Sequence, residues 1–200
     1  MSFLKNIFKG FFNNPSSKGQ PKESQYLPEI ELPIDEEFTM NFKNNGGKFL
    51  YCETEAELQD TFVNILVEND WFETDAITFE KELYPLLQEN RIHYRNIQNP
   101  VFFVASCESL IADEGSILFS STQLSHLKAT ELPTNIIVFA RTSQITRSKS
   151  DGLRIIKNKY LTEFPSNITA IKCFSSSNND SFLNYGSAPK NLYLILLEDL

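Results

Sequence analysis

Four consecutive residues, Asp113, Glu114, Gly115 and Ser116, form the most chemically informative pattern in this sequence. They follow residues 107–112, for which we expect a short helical turn, and they precede an apolar strand. Glycine lets the backbone turn tightly or approach a ligand closely, and successive N–H groups in such a turn can bind an anion. The alternative is that the two acids are ordinary turn residues and that Gly115 only adopts an unusual dihedral. Local chemistry alone favours this alternative.

Other residue types give no metal or cofactor site. The two histidines, His93 and His126, have no cysteine or further histidine at ligand spacing, so we expect no metal. The three cysteines are Cys52, Cys107 and Cys173, too widely spaced for a disulfide framework or a Cys-x-x-Cys site. The sequence also lacks Gly-x-Ser-x-Gly, Gly-x-Gly-x-x-Gly and Walker-type motifs. We therefore expect no bound cofactor.

Charge and length restrict the class of protein. The chain has 200 residues, with 18 Lys and Arg against 26 Asp and Glu, and a net charge of -8. Nucleic-acid binding needs clustered positive charge and is not expected. No apolar run reaches the length of a membrane span, and the N-terminus lacks the pattern of a cleaved signal peptide. We expect a soluble, cytoplasmic protein with one globular domain.

The first 40 residues differ from the remainder. Residues 1–12 place six apolar side chains on one helical face beside Lys5 and Lys9. This pattern predicts an amphipathic helix that docks on a partner or lies weakly on an anionic membrane. Alternatively, it is a short tail that folds back or frays, since a helix of about 12 residues is marginal alone. Residues 13–40 contain prolines and serines and few large apolar residues, which is typical of a flexible linker.

The body, residues 41–200, alternates between strand and helix periodicity, which predicts an α/β fold. Thr54 and Glu57 form a capping box for one helix, and Pro85 requires a second helical pattern to kink or to be two pieces. A further helix is expected at 150–161, and strands are expected at 48–52, 92–94, 101–106, 116–120, 136–140, 168–174 and 192–197. Several strands are continuous apolar runs, which indicates burial on both faces. We therefore expect 101–105, 117–119, 136–139 and 193–197 to form a mainly parallel sheet covered by helices.

Several segments together resemble the LUD-domain family, especially lactate-utilisation protein C. These are Ile111-Ala-Asp-Glu-Gly-Ser-Ile-Leu118, Leu132-Pro133, Asn135-Ile-Ile-Val-Phe139, Gln144-Ile145 and Ala188-Pro-Lys-Asn-Leu-Tyr-Leu-Ile-Leu-Leu197. Glu114 stands where the family usually has threonine, and the chain lacks the family's Gly-Pro-Ser-x-Thr-x-Asp-Ile-Glu segment. The resemblance implies a Rossmann-like fold similar to ribose-phosphate isomerases and CoA transferases, in which ligands bind at strand ends.

The resemblance leaves two functional hypotheses open. In the first, the chain is a cluster-free accessory subunit of a lactate-oxidising system whose iron–sulfur subunits are its partners. In the second, it is a small enzyme or ligand-binding protein for a phosphorylated or CoA-like metabolite. Asp113, Glu114, Gly115 and Ser116 would then bind the ligand, with Glu114 as the candidate nucleophile or base.

Overall fold

The computed structural model of this chain describes residues 32–95, 98–172 and 190–199. The expected helix at residues 1–12, and residues 13–31 of the expected linker, lie outside the described residues. The helices are α1 (Ile34–Asn44), α2 (Glu55–Asn69), α3 (Tyr84–Glu89), α4 (Ser121–Leu124) and α5 (Lys149–Lys159). The strands are β1 (Lys48–Cys52), β2 (Ala76–Ile77), β3 (Phe102–Ser106), β4 (Ser109–Ile111), β5 (Ser116–Ser120), β6 (Asn135–Arg141), β7 (Ile145–Thr146), β8 (Ile168–Ile171) and β9 (Asn191–Leu197).

Helix α1 corrects one boundary of the expected linker, because residues 34–40 are helical. Pro33 precedes the helix, and three acidic residues occupy its first turn, where negative charge is favourable. Phe38 and Phe42 lie four residues apart and are both fully buried. This pair of aromatic side chains fixes the helix against the body, so the ordered domain begins before residue 41.

The five-stranded sheet confirms the α/β prediction. Its strand order is β1-β9-β6-β3-β2, and all of its strand pairs are parallel. The longest pairing joins β6 to β9, from Asn135 opposite Asn191 to Arg141 opposite Leu197. The continuous apolar runs predicted at 101–105, 136–139 and 193–197 form the centre of this sheet.

Alternating side chains of the central strands are buried on opposite faces of the sheet. On one face, Phe102 and Val104 of β3 pack with residues of α2 and α3. On the other face, Phe103 and Ala105 pack with α1 and with a second sheet. Both faces of the central strands are therefore covered, which explains why their sequences lack polar alternation.

A second, four-stranded sheet was not expected. Its order is β7-β4-β5-β8, and β5 pairs antiparallel with both β4 and β8. The prediction that residues 117–119 belong to the parallel sheet is wrong, and so is the prediction of a helical turn at 107–112, which contains β4. Strand β5 is buried on both faces, between the main core and Ile156 of α5. Its sequence is therefore a continuous apolar run, the pattern that is typical of a strand in a parallel sheet.

Local features agree with the capping and proline signals. Thr54 is the N-cap of α2 and accepts a hydrogen bond from the Glu57 N–H. The Glu57 carboxylate accepts from the Glu53 N–H and not from Thr54, so the expected capping box is half formed. Near Pro85 the chain forms a 3-10 turn, Lys81–Leu83, followed by the separate helix α3. The strand expected at 92–94 is reduced to a single bridge between His93 and Asp75.

No helix among the described residues combines the length and apolar character needed to cross a membrane.

Candidate functional site

The turn that contains Gly115 joins β4 to β5 and packs closely against helix α1. Gly115 has a φ of +59°, a conformation that side chains other than glycine rarely adopt. A Cβ at this position would lie 2.4 Å from the Asn41 carbonyl carbon and 2.4 Å from the Phe42 amide nitrogen. The glycine is therefore required by the approach of the helix backbone.

Two asparagines of α1 and its C-cap bind the carbonyl groups of the same turn. The Asn41 amide donates to the Ala112 carbonyl at 2.8 Å. The Asn45 amide donates to the carbonyl groups of Glu114 at 2.8 Å and Gly115 at 3.0 Å. These bonds attach the turn to the helix and help to satisfy the carbonyl groups of the turn.

The side chains of the turn also find partners within the chain. A carboxylate oxygen of Glu114 lies 3.2 Å from Lys149 Nζ and accepts a hydrogen bond from the Ser116 hydroxyl at 3.2 Å. Ser116 is fully buried, whereas Asp113 is exposed. The structure therefore brings Glu114 and Ser116 together but points Asp113 elsewhere. Anion binding at this turn stays a prediction, and the contacts observed there are structural.

The carboxyl edge of the five-stranded sheet places a second group of polar residues together. Parallel sheets commonly bind ligands at this edge. Glu80, which follows β2, accepts hydrogen bonds from the Ser106 N–H at 2.7 Å and from the Ser106 hydroxyl at the end of β3. Burial raises the pKa of Glu80, and the two hydrogen bonds from Ser106 only partly oppose this effect.

Glu108, two residues beyond β3, is the centre of a buried hydrogen-bond network. Its carboxylate accepts bonds from Lys159 Nζ at 2.8 Å and from the Tyr160 hydroxyl at 2.8 Å. The Ser120 hydroxyl at 2.7 Å and the Gln123 amide at 3.1 Å complete the network. The Glu108 side chain is only 1% exposed. Burial raises the pKa of Glu108, but these four hydrogen bonds outweigh it and hold the pKa below its ordinary value.

The pKa of Glu80 is therefore raised and that of Glu108 is lowered, and the two residues follow the neighbouring strands β2 and β3. A carboxyl group that retains its proton can act as a general acid, and an ionised carboxylate can act as a base or stabilise positive charge. Glu80 has the environment of the first and Glu108 that of the second. The Glu108 carboxylate is 1% exposed and already bonded by four donors of its own chain, so only Glu80, which is partly exposed, could meet a ligand directly.

The remainder of the carboxyl edge is bridged by pairs from the same chain. Asp199 accepts hydrogen bonds from the Thr142 hydroxyl, the Ser143 N–H and the Ser143 hydroxyl, which follow β6. These bonds, those from Ser143 foremost, lower the pKa of Asp199. Arg141 reaches across β9 to Glu55 at the start of α2, at 3.0 Å.

Potential metal ligands are dispersed over the described residues. Within 32–95, 98–172 and 190–199, no three His, Cys, Asp or Glu side chains come together as a possible metal-ion site. Cys52 and Cys107 are buried free thiols, and burial raises the pKa of Cys107 above its usual value. Cys173 lies outside the described residues. His93 contacts Asp75, and His126 packs against Phe79.

Glu80 and Glu108 were missed by the sequence analysis. Each is a single carboxylate shortly after a strand, without a motif around it. Glu108 had a signal, because it comes just after the apolar run at 101–106, at the edge where parallel sheets bind ligands. Its partners, Lys159 and Tyr160, lie more than 50 residues away in the sequence.

Comparisons with known proteins agree with this architecture. The family model described as LUD domain matches residues 36–197. Among solved structures, the chain is similar to a DUF162 family protein from Deinococcus radiodurans, with 15% sequence identity and a TM-score of 0.61. That match covers 82% of this chain and 96% of the other, and at this identity it shows the fold alone. None of the curated proteins matches this chain. Because the family model matches most of its length, the chain belongs to the LUD domain family.

Proposed function

We propose that this chain is a cluster-free accessory subunit of a cytoplasmic lactate-oxidising, or lactate utilisation, system. In this proposal partner proteins carry the iron–sulfur clusters, and the LUD domain contributes to their assembly. Membership of the LUD domain family supports the assignment at the level of the domain. The resemblance of residues 111–118 and 188–197 to lactate-utilisation protein C supports the narrower role.

The observation that carries the proposal is the internal pairing at the turn that was the sequence's best catalytic candidate. Glu114 contacts Lys149 and Ser116, while Asn41 and Asn45 occupy the carbonyl groups. A ligand would have to displace these contacts, or bind beside the Glu114 carboxyl group that makes them. This favours a structural role for the turn over a catalytic one.

Reconstitution tests the proposal directly. The full-length chain is mixed with the iron–sulfur subunits of a lactate-oxidising system from the same organism, and co-elution and lactate-dependent reduction of an artificial electron acceptor are measured. We expect a complex whose activity requires this chain. The Glu114→Gln variant should support the same activity, because Glu114 serves here only as an ion-pair partner. Full activity of the partners in the absence of the chain would contradict the proposal.

In this proposal residues 1–12 attach the chain to its partners or to a membrane surface. The amphipathic pattern of their sequence, with its two lysines, suits either a protein groove or a weak contact with anionic lipid. Replacing Phe8 by aspartate should weaken whichever contact exists, and Phe8→Leu is the matched control. Sedimentation with anionic vesicles measures the lipid contact, and co-elution measures the protein contact. If Phe8→Asp changes neither, the segment has no attachment role.

A second candidate function rests on Glu80. The raised pKa of Glu80, a partly exposed carboxyl group beyond the end of a parallel strand, favours a small enzyme or ligand-binding protein in which it acts as a general acid. The ligand class, a phosphorylated or CoA-like metabolite, is taken from the family resemblance alone. A screen of phosphosugars, nucleotides and CoA by thermal shift and turnover tests this. Turnover that Glu80→Gln abolishes and Glu114→Gln preserves would establish the second candidate over the first.

A further inference from the structure

Strand β1 lies at the edge of the five-stranded sheet, and no other strand of the described residues pairs with its outer side. Its inner side pairs with β9, where the Cys52 carbonyl accepts a hydrogen bond from the Glu198 N–H. Backbone groups of alternate residues point to opposite sides of a parallel strand. The N–H and C=O groups of Phe49 and Tyr51 therefore point away from β9.

These outward backbone groups have no hydrogen-bond partner among the described residues. Tyr51 is 40% exposed, and Phe49 and Leu50 are partly exposed. Edge strands are usually protected by proline, inward charges or a covering element, because a free edge can pair with another strand. The centre of β1, Phe49-Leu50-Tyr51, contains none of the protecting residue types.

We propose that β1 pairs antiparallel with β1 of a second copy of this chain, across a twofold axis at Leu50. In this register Phe49 lies opposite Tyr51 of the other copy, and Tyr51 lies opposite its Phe49. Both residues have outward backbone groups, so the two symmetric pairs form four hydrogen bonds. The five-stranded sheets join into one sheet of ten strands.

Side chains at this edge favour the antiparallel arrangement. Each symmetric pair sets a phenylalanine opposite a tyrosine, and cross-strand aromatic pairs stabilise sheets. Lys48 begins β1, and Glu53 directly follows it. An antiparallel pairing avoids placing like-charged strand ends together, while Lys48 keeps its contacts with Glu68, at 3.7 Å, and with the Tyr193 hydroxyl of its own chain. The edge is therefore complementary to a copy of itself.

A disulfide at the proposed axis provides the first test. In the proposed register the two Leu50 residues form a non-hydrogen-bonded pair, whose Cα atoms lie about 4.5 Å apart, within the range that a disulfide spans. We expect mild oxidation to link Leu50→Cys into a covalent dimer. Val67→Cys, at a position 62% exposed on α2, is the matched control and should remain unlinked. The unmodified chain, oxidised in the same way, gives the amount of covalent dimer that its own cysteines form. Failure of Leu50→Cys to link above that background would overturn the proposal.

The second test measures dimer dissociation without covalent chemistry. Tyr51→Pro removes one outward N–H and no bond to β9, while Tyr51→Thr loses the phenol but keeps the N–H. By sedimentation equilibrium we expect a dimer of the 23.0 kDa chain that Tyr51→Pro weakens at least about tenfold relative to Tyr51→Thr. Circular dichroism verifies that both variants are folded. If the unmodified chain is monomeric at about 100 µM, β1 pairing is contradicted. Equal dissociation constants for folded Tyr51→Pro and Tyr51→Thr would contradict it as well.

Discussion

Replacing Gly115 by alanine separates a structural role of the turn from a ligand-binding role. If the turn serves mainly to hold α1, the substitution lowers the stability of the whole domain. If it serves mainly to bind an anion, the substitution lowers affinity and leaves stability nearly unchanged. The geometry at Gly115 indicates the first outcome.

The expected magnitude follows from two effects. An alanine at a φ of +59° costs about 1–2 kcal/mol in backbone strain. The added methyl group would also lie 2.4 Å from backbone atoms of α1, well inside an ordinary contact distance, so the helix must move away. Phe38 and Phe42, each worth about 1.5–3 kcal/mol when fully buried, would then lose part of their contacts. We expect the free energy of unfolding to fall by about 2–4 kcal/mol.

Urea denaturation of the full-length chain measures this change, and thermal unfolding should show a decrease of roughly 6–12 °C for a loss near 3 kcal/mol. Asp113→Ala is the matched control, because the neighbouring Asp113 side chain is exposed and should change stability by less than about 0.5 kcal/mol. Equal stability of Gly115→Ala and the unmodified chain would refute the argument, since α1 could not then be packed as described.

The remaining predictions concern the core and the carboxyl groups of Glu80 and Glu108. Glu108→Ala should lower the free energy of unfolding by about 1–3 kcal/mol in urea denaturation, because the buried Ser120 and Gln123 donors lose their acceptor, whereas Lys159 is 54% exposed and can be solvated. A loss below about 0.5 kcal/mol would contradict this. The lowered pKa of Glu108 means that its contribution is present at neutral pH and lost as the pH falls through its folded-state pKa, so Glu108→Gln should lack this acid-dependent loss. The raised pKa of Glu80 means that its contribution to stability is lost as the pH rises through its folded-state pKa, so Glu80→Gln should remove this alkaline loss. Urea denaturation from about pH 3 to about pH 8 measures both effects. If the stability of each variant changes with pH in the same way as that of the unmodified chain, both predictions are wrong. Leu194→Ala should cost about 2–5 kcal/mol, because Leu194 is fully buried at the centre of the sheet, and a negligible change would mean that β9 is peripheral. Cys107 should resist alkylation in the folded chain and react after unfolding, as peptide mapping by mass spectrometry can establish, and rapid native labelling would contradict its burial.

Periodicity predicted the central sheet because its signal is local and strong. The run Val104-Ala105 with its neighbours is apolar at consecutive positions, and consecutive burial requires cover on both faces. Thr54 and Pro85 likewise mark helix boundaries through their own chemistry. These features depend on residues near them in the sequence, so the sequence alone suffices to place them.

Other features depend on contacts between distant segments. The apolar run of β5 indicates burial, but its antiparallel pairing depends on β8, some 50 residues later. Helix α1 is polar except for a few apolar residues such as Phe38 and Phe42, so composition resembled a linker. At the candidate turn, Gly115 was correctly selected as a residue with an unusual dihedral. The cause of that dihedral is α1, which the sequence pattern had not predicted.

The order of strands in the five-stranded sheet also determines when the sheet can be completed during synthesis. Strand β1 is made first among the described strands, yet its partner β9 is made last, and Phe49 pairs with Leu194, 145 positions later. Until β9 emerges from the ribosome, β1 lacks its partner and β6 has a free side in what will be the centre of the sheet. Pairings between such distant segments form slowly, and exposed strand edges favour aggregation in the meantime. A nascent chain that stalls before residue 191 therefore presents an unpaired β1 and an open side of β6 to its surroundings, and we expect it to depend on chaperones until β9 is added.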